Sequence, residues 1–497
     1  MRALTRLRRA AARHRKKLIA LAVLVAAPPA AHLGIAAATP IEPPPIAAVQ
    51  GDASVSPGGL RALGRGYARK RGTILEVRLA GTPEDIGHQH GRLLYREMSE
   101  NEGALYDQFE HHVPLAPLRW LIMDLSRLRF RDVDEGMTLD RRREIAAHAR
   151  AFSPDPFGRF LPTYHRMVFL HALYDISLSF ERSPLIGCTS FALGDGAFAG
   201  GGAVLARAFD FEVLPIFDEM KSVFLIHEEG RIPYASVAWP GLVGAVSGMN
   251  AEGLAAVVHG GRATRPSPMG QPVAHTMREL LGRARTVDEG LALLEATQPM
   301  VSHMIFLADA KGDAAVAERA PGAKLHARRG RGKVPLTNHF EGPLAADPAN
   351  QRVLAETSTR DRRARLDELL ASLPPAAPVE AVVGVLRDRK AAGGAPLDLG
   401  DRRAIDALIA THGVVMDTSS RSLWVSESPH LLGRFVRFDL RELLDPAYAP
   451  ADGEPSIEAI AEDPLLRSGE YDAWVRAGSP HPGGGAAATP LPKGEPR

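Results

Sequence analysis

A single cysteine among 497 residues, Cys188, means that disulfides cannot hold this fold together. A long chain without cross-links must bury a substantial core. Its residues are 45 % hydrophobic and 24 % charged, an ordinary globular balance that can do so. The length suits one large domain or two of common size. A net charge of +2 and the lack of any RNA- or DNA-binding motif exclude a dedicated nucleic-acid binder. Histidine and cysteine do not cluster at metal-ligand spacing, so neither a metal nor another cofactor is expected.

The N-terminus carries Arg2, Arg6, Arg8, Arg9, Arg13, Arg15, Lys16 and Lys17 ahead of an apolar run from Leu18 to Val25. Ala26-Ala27-Pro28-Pro29 and an alanine-rich stretch to Ala38 follow. Residues 1–38 read as a signal peptide or a membrane anchor. The double proline is expected to interrupt a continuous helix, and the apolar run is short for a span. The expectation is an exported protein, periplasmic or extracellular or held at a membrane by this segment. Exported chains often use disulfides. A lone thiol there is either a buried small hydrophobe or a reactive group kept for chemistry.

Residues 39–72, rich in Pro and Ala, read as a linker. Thr73 to Leu79 alternates like a strand, and Gly81-Thr82-Pro83-Glu84-Asp85 is a turn into a helix start. Residues 73–187 are otherwise expected to be mainly helical. From Cys188 the texture changes to strands, with Val204 to Phe211, Ser222 to His227, Pro233 to Ala238, Gly244 to Ser247 and Gly253 to His259 in succession. Two helices, strands again, a polar helix near 361–371 and a closing strand pair (Gly413 to Asp417, Ser422 to Val425) follow. That order implies an α+β layered domain over 188–477. Residues 478–497, rich in Pro, Gly and Ala, read as a disordered tail.

Cys188 opens the strand Gly187-Cys188-Thr189-Ser190-Phe191, and the chain returns through Ala206-Arg207-Ala208-Phe209-Asp210-Phe211. On the returning strand Arg207 and Asp210 point to opposite faces, but a bulge or strand end brings both near the cysteine. The chemistry needs them. A thiol is a strong nucleophile only as thiolate, which a guanidinium favours, and an aspartate can orient the base. No histidine flanks the cysteine. If the Gly187–Cys188 bond is cut, the freed α-amino group, with a pKa near 8, becomes a base on the nucleophile's own residue.

These segments resemble the N-terminal-nucleophile (Ntn) hydrolases. The nearest group is similar to acyl-CoA:6-aminopenicillanate acyltransferase, itself related to choloylglycine hydrolases and acid ceramidase. Further similar segments follow in the same order: Ile86-Gly87-His88-Gln89-His90-Gly91, Ser247-Gly248-Met249-Asn250-Ala251-Glu252-Gly253-Leu254, Leu336-Thr337-Asn338-His339-Phe340, and Val414-Val415-Met416-Asp417 with Leu423-Trp424-Val425. The resemblance implies a four-layer αββα sandwich preceded by a helical propeptide segment. It also implies self-cleavage between Gly187 and Cys188 into an α/β heterodimer. Cys188 would be the nucleophile, Arg207 and Asp210 would hold thiolate and amine, and Asn338 would donate to the oxyanion. Where choloylglycine hydrolases carry an asparagine, this chain has Val257-Val258-His259-Gly260. Either His259 or a backbone N–H then substitutes as donor. A family arginine falls among Arg360, Arg362 and Arg363. Asn250 reads first as a turn residue, His88 and His90 as fold-stabilising beside a tight turn at Gly87 and Gly91, and the four tryptophans as packing. The implied activity is hydrolysis of a linear N-acyl amide through an acyl-enzyme. The alternatives are a phospholipase- or ceramidase-like lipid hydrolase, an acyl-CoA-dependent N-acyltransferase, and a non-catalytic envelope protein.

Overall fold

The computed structural model describes residues 15, 17, 19, 21, 25–159, 161–179, 186–211, 214–242, 244–264, 266–267 and 269–478. The expected tail thus lies almost wholly outside the described residues, as does most of the basic leader. Among the described residues the strands form two sheets, numbered here in chain order. The larger runs β1 (Ser54–Val55), β2 (Arg61–Leu63), β3 (Gly66–Arg71), β4 (Ile74–Gly81), β7 (Ser222–Glu228), β8 (Tyr234–Ala238), β9 (Ser247–Asn250), β10 (Ala255–Gly260), β11 (His303–Ala308), β12 (Ala314–Arg319), β13 (His326–Gly330). The smaller runs β14 (Lys333–Leu336), β5 (Ile186–Leu193), β6 (Val204–Phe211), β15 (Ala410–Asp417), β16 (Ser422–Ser426), β17 (Phe435–Asp439), β18 (Ala459–Ile460). Within these sheets β4 runs parallel to β7 and the other pairs are antiparallel.

The sheets face each other across Leu205, Val223, Met249, Phe306, Val414 and Val425. The outer face of the larger sheet is covered by helices through Ile86, Ile145, Met277 and Leu280. The outer face of the smaller sheet is covered by the helices Thr359–Ser372 and Val379–Leu386, through Leu366, Leu370, Val382 and Leu386. This is the expected αββα layering, and apolar burial on three levels stands in for cross-links.

Three expectations are corrected. The 39–72 segment is not a linker throughout: β1, β2 and β3 extend the larger sheet. β3 hides in the sequence because its buried side chains include Arg69 and Arg71, both paired with the fully buried Glu76 of β4. Residues 25–38 are helical straight through Pro28 and Pro29. Among the described residues no helix is long and apolar enough to cross a membrane. Gly87 and Gly91 mark no turn. They lie inside the helix Pro83–Leu93, where a Cβ on Gly87 would collide with the Glu144 carbonyl and one on Gly91 with Ala151. Their absence of side chain lets this helix pack closely on the helix Leu139–Ala151. The expected helix start is present: Thr82 and Asp85 form a reciprocal capping box, with Pro83 in the first turn.

Candidate active site

β5 and β6 pair with Gly187 opposite Asp210, Cys188 opposite Phe209 and Ser190 opposite Arg207. Strand alternation then sorts the side chains. Cys188, Ser190, Arg207 and Phe209 share the face toward the opposing sheet, where Ala192 of the same set enters the inter-sheet core. Thr189 and Asp210 lie on the face toward the helix Thr359–Ser372. The sulfur and the backbone of Cys188 are therefore approached from two sides.

On the sulfur side stands Arg207, fully buried. Its Nη2 donates to Cys188 Sγ at 3.3 Å and to the Val258 carbonyl. Its Nη1 donates to Ser247 Oγ at 2.7 Å and to the Val246 carbonyl. The guanidinium also lies 4.1 Å from the Phe209 ring centre. Four acceptors and a ring hold the charge in one place against the sulfur. Burial pushes the Cys188 thiol above its ordinary pKa, and Arg207 opposes that push without cancelling it. Cys188 is thus a protonated, solvent-shielded thiol.

On the backbone side, Asn338 Oδ1 accepts the Cys188 amide N–H at 2.8 Å and a second hydrogen bond from Arg362 Nη2 at 2.9 Å. Its Nδ2 donates to the Gly260 carbonyl at 3.1 Å, and these three partners together set the amide's orientation. Asn338 thus holds the nitrogen of the Gly187–Cys188 bond, and one Nδ2 hydrogen is committed to Gly260 rather than to an oxyanion. Of the three arginines, Arg362 is the one that reaches Cys188. It is buried and donates to the Cys188 carbonyl at 2.6 Å and to Thr189 Oγ1 at 2.9 Å. Arg360 is exposed, and Arg363 pairs with Glu341 and Asp367.

Asp210 is buried beside Gly187, its carboxylate 3.3 Å from where a Gly187 Cβ would stand. Its Oδ1 has no hydrogen-bond partner among the described residues. Burial raises its pKa to about 6, against the pull of Arg362 and Arg402. His259 is buried, with Nε2 2.6 Å from Ser190 Oγ. Burial, then Arg207 and Arg362, hold it neutral, its pKa well below the usual imidazole value. Asn250 is a scaffold residue. Its Nδ2 donates to the Leu281 and Ala284 carbonyls, and its Oδ1 accepts from the Glu252 and Leu254 amides. His90 accepts the Gly241 amide and stacks on His148, while His88 bonds the Gly51 carbonyl at the surface.

An apolar cavity of about 110 Å³ opens against Phe209, the strand partner of Cys188. Its wall includes Phe209, Phe211, Tyr174, Met167, Trp239 and Leu242. Trp239 is therefore a wall of this space rather than packing alone. Tyr174 escaped the sequence reading. It sits in the helix Leu173–Leu178 ahead of Cys188, its hydroxyl is buried without a hydrogen-bond partner among the described residues, and its electrostatic neighbours are Cys188, Arg207 and Asp175. Only its position ahead of Cys188 in a helical run could have hinted at it.

The sequence model of the family described as acyl-coenzyme A:6-aminopenicillanic acid acyl-transferase matches residues 198–393. No curated protein matches the chain. Among solved structures, the Caenorhabditis elegans N-acylethanolamine-hydrolyzing acid amidase ortholog overlaps 47 % of this chain and 93 % of its own, at 14 % identity and a TM-score of 0.36. Penicillin V acylase from Agrobacterium tumefaciens overlaps 56 % and 98 %, at 19 % identity and a TM-score of 0.33. A mutant conjugated bile acid hydrolase from Clostridium perfringens overlaps 56 % and 97 %, at 13 % identity and a TM-score of 0.34. These overlaps are loose.

Proposed function

We propose that this chain, whose residues 198–393 match the acyl-coenzyme A:6-aminopenicillanic acid acyl-transferase family, is a self-activating cysteine amidohydrolase. The observation that carries this reading is the three-way grip on one residue: Arg207 on the Cys188 sulfur, Asn338 on its amide nitrogen and Arg362 on its carbonyl. An inert core cysteine needs none of these, and burying two guanidiniums around one is costly.

Activation begins with attack of Sγ on the Gly187 carbonyl carbon. The C–N bond breaks, the thiol proton passes to the Cys188 nitrogen, and Gly187 is left as a thioester. Water then hydrolyses the thioester, releasing a Gly187 carboxylic acid and restoring the thiol. The new amine keeps Asn338 Oδ1 as acceptor and gains Asp210 as a neighbour. In turnover the amine takes the thiol proton, with Arg207 favouring the thiolate. Sγ attacks the substrate amide, the amine product leaves with the proton, and water frees the acid from the thioester. The apolar cavity takes the acyl group.

The basic leader and apolar run at the N-terminus support a location outside the cytoplasm, where acyl-CoA is scarce. Hydrolysis is therefore preferred to acyl transfer. The test is a panel of N-acyl amides with straight-chain and aryl acyl groups, read by amine release, beside phospholipids and ceramide. Amide turnover that is lost in Cys188→Ala is expected. No turnover of any class refutes an enzyme of this kind, and turnover of the lipids alone assigns the lipid-hydrolase alternative instead.

A further inference from the structure

The helix Ala116–Arg129 is inverted. Two of its charged residues, Asp124 and Arg127, are buried, while Leu118, Trp120, Leu121, Leu125 and Leu128, with Leu115 at its start, are 44–66 % exposed. Leu118, Leu121, Leu125 and Leu128 recur at helical spacing and so form one outward stripe. Scattered exposed leucines need no explanation, but a continuous stripe of this size does.

The N-terminal helix is tied to this stripe. His32 stacks on Trp120 at 5.5 Å between ring centres, and its Nδ1 lies 2.8 Å from Asp124 Oδ1. That helix in turn exposes Val25 and Leu33. In sequence it continues directly from the apolar run Leu18–Val25 and from eight Arg and Lys residues between Arg2 and Lys17, and the first acidic residue of the chain is Glu42. Arg129 and Arg131 are exposed at the C-terminal end of the stripe, Arg131 paired with Asp132.

We propose that this face docks the protein on a lipid bilayer carrying anionic headgroups, with the helix Ala116–Arg129 lying in the interface. An apolar stripe flanked by exposed arginines, on a chain whose N-terminal sequence is strongly basic, suits acyl chains under a negative surface. Among the described residues no helix is long and apolar enough to cross a membrane. The helix Tyr95–His112, which supplies Met98 and Leu105 to the wall of the apolar cavity, runs into Leu115 through Val113-Pro114. Docking here would therefore hold the cavity's own wall near the lipid.

The test uses the full chain in flotation assays with phosphatidylcholine vesicles, with and without phosphatidylglycerol. Binding that rises with phosphatidylglycerol and weakens about tenfold or more in the double variant Leu121→Glu, Leu125→Glu is expected. Thermal melting reports whether that variant folds. Should it fail to fold, quenching of the wild-type Trp120 by brominated lipid, judged against Trp120→Phe, decides instead. Absence of flotation, flotation untouched by the double variant, or no Trp120 quenching overturns the proposal. So does a concentration-dependent dimer that the double variant abolishes, which would assign the face to a second copy.

Discussion

Replacing Arg207 with methionine keeps much of the buried volume and removes the charge facing Cys188. A unit charge pair at the 3.3 Å separation of Nη2 and Sγ attracts with about 5 kcal/mol in an effective dielectric of about 20. The guanidinium charge is spread over three nitrogens and also serves the Val246 and Val258 carbonyls and Ser247 Oγ. The sulfur's share is roughly 2 kcal/mol, and its loss raises the thiol pKa further. The thiolate population at a given pH then falls roughly thirtyfold, and both self-cleavage and amide turnover should slow by at least that much. Two buried carbonyls also lose a donor, at about 1–3 kcal/mol each, so rates are to be compared well below the variant's melting temperature. The assay is a time course of uncut and cut chains on denaturing gels after rapid purification, with turnover measured in parallel. Arg207→Lys, which keeps the charge but loses the fork, should fall between the two. A folded Arg207→Met that cleaves and turns over at wild-type rates would refute the assignment of Arg207 to the nucleophile.

Asn250→Ala should separate scaffold from chemistry: four backbone hydrogen bonds are lost, stability drops by about 2–4 kcal/mol in denaturant melts, and the rate per folded molecule stays near wild type. Tyr174→Phe deletes only a hydroxyl, and if that hydroxyl meets the substrate, kcat/KM falls about tenfold or more with melting unchanged. Asp210 titrates at about 6 rather than 3.8 because it is buried, so the folded state holds its proton more tightly than the unfolded chain does. Its contribution is fully present below about pH 4 and is lost as pH rises through about 6, by up to about 3 kcal/mol. In the uncut Cys188→Ala background, the stability difference between the Asp210 and Asp210→Asn proteins should shift across that window and stay level above it, and a difference that is flat throughout would contradict the assignment.

The strands around the site were legible because their apolar residues alternate: Val204–Phe211 falls where the pattern places it, and β7, β8 and β10 lie within two residues of expectation. Other elements were hidden by what they bury. β3 buries arginines against Glu76, and an arginine-rich strand beside a proline-rich stretch looks like a linker. The helix Val379–Leu386 is so uniformly apolar that its period is lost. Of the site, Cys188 and Arg207 could be paired from a hairpin, since strand partners follow from register. Arg362 could not be told from its neighbours, because choosing one arginine of three requires knowing which side of the helix meets the sheet. The orientation of Asn338 and the approach of Tyr174 are tertiary facts, set by packing between segments far apart in sequence.

The central claim is that Cys188 becomes the first residue of a mature chain. Intact-mass measurement with N-terminal sequencing of the purified full-length protein tests it most directly. The account predicts two fragments, one beginning at Cys188, and a single uncut chain for Cys188→Ala. A wild-type protein that remains one chain, or a Cys188→Ala protein that is cut at the same bond, would contradict it.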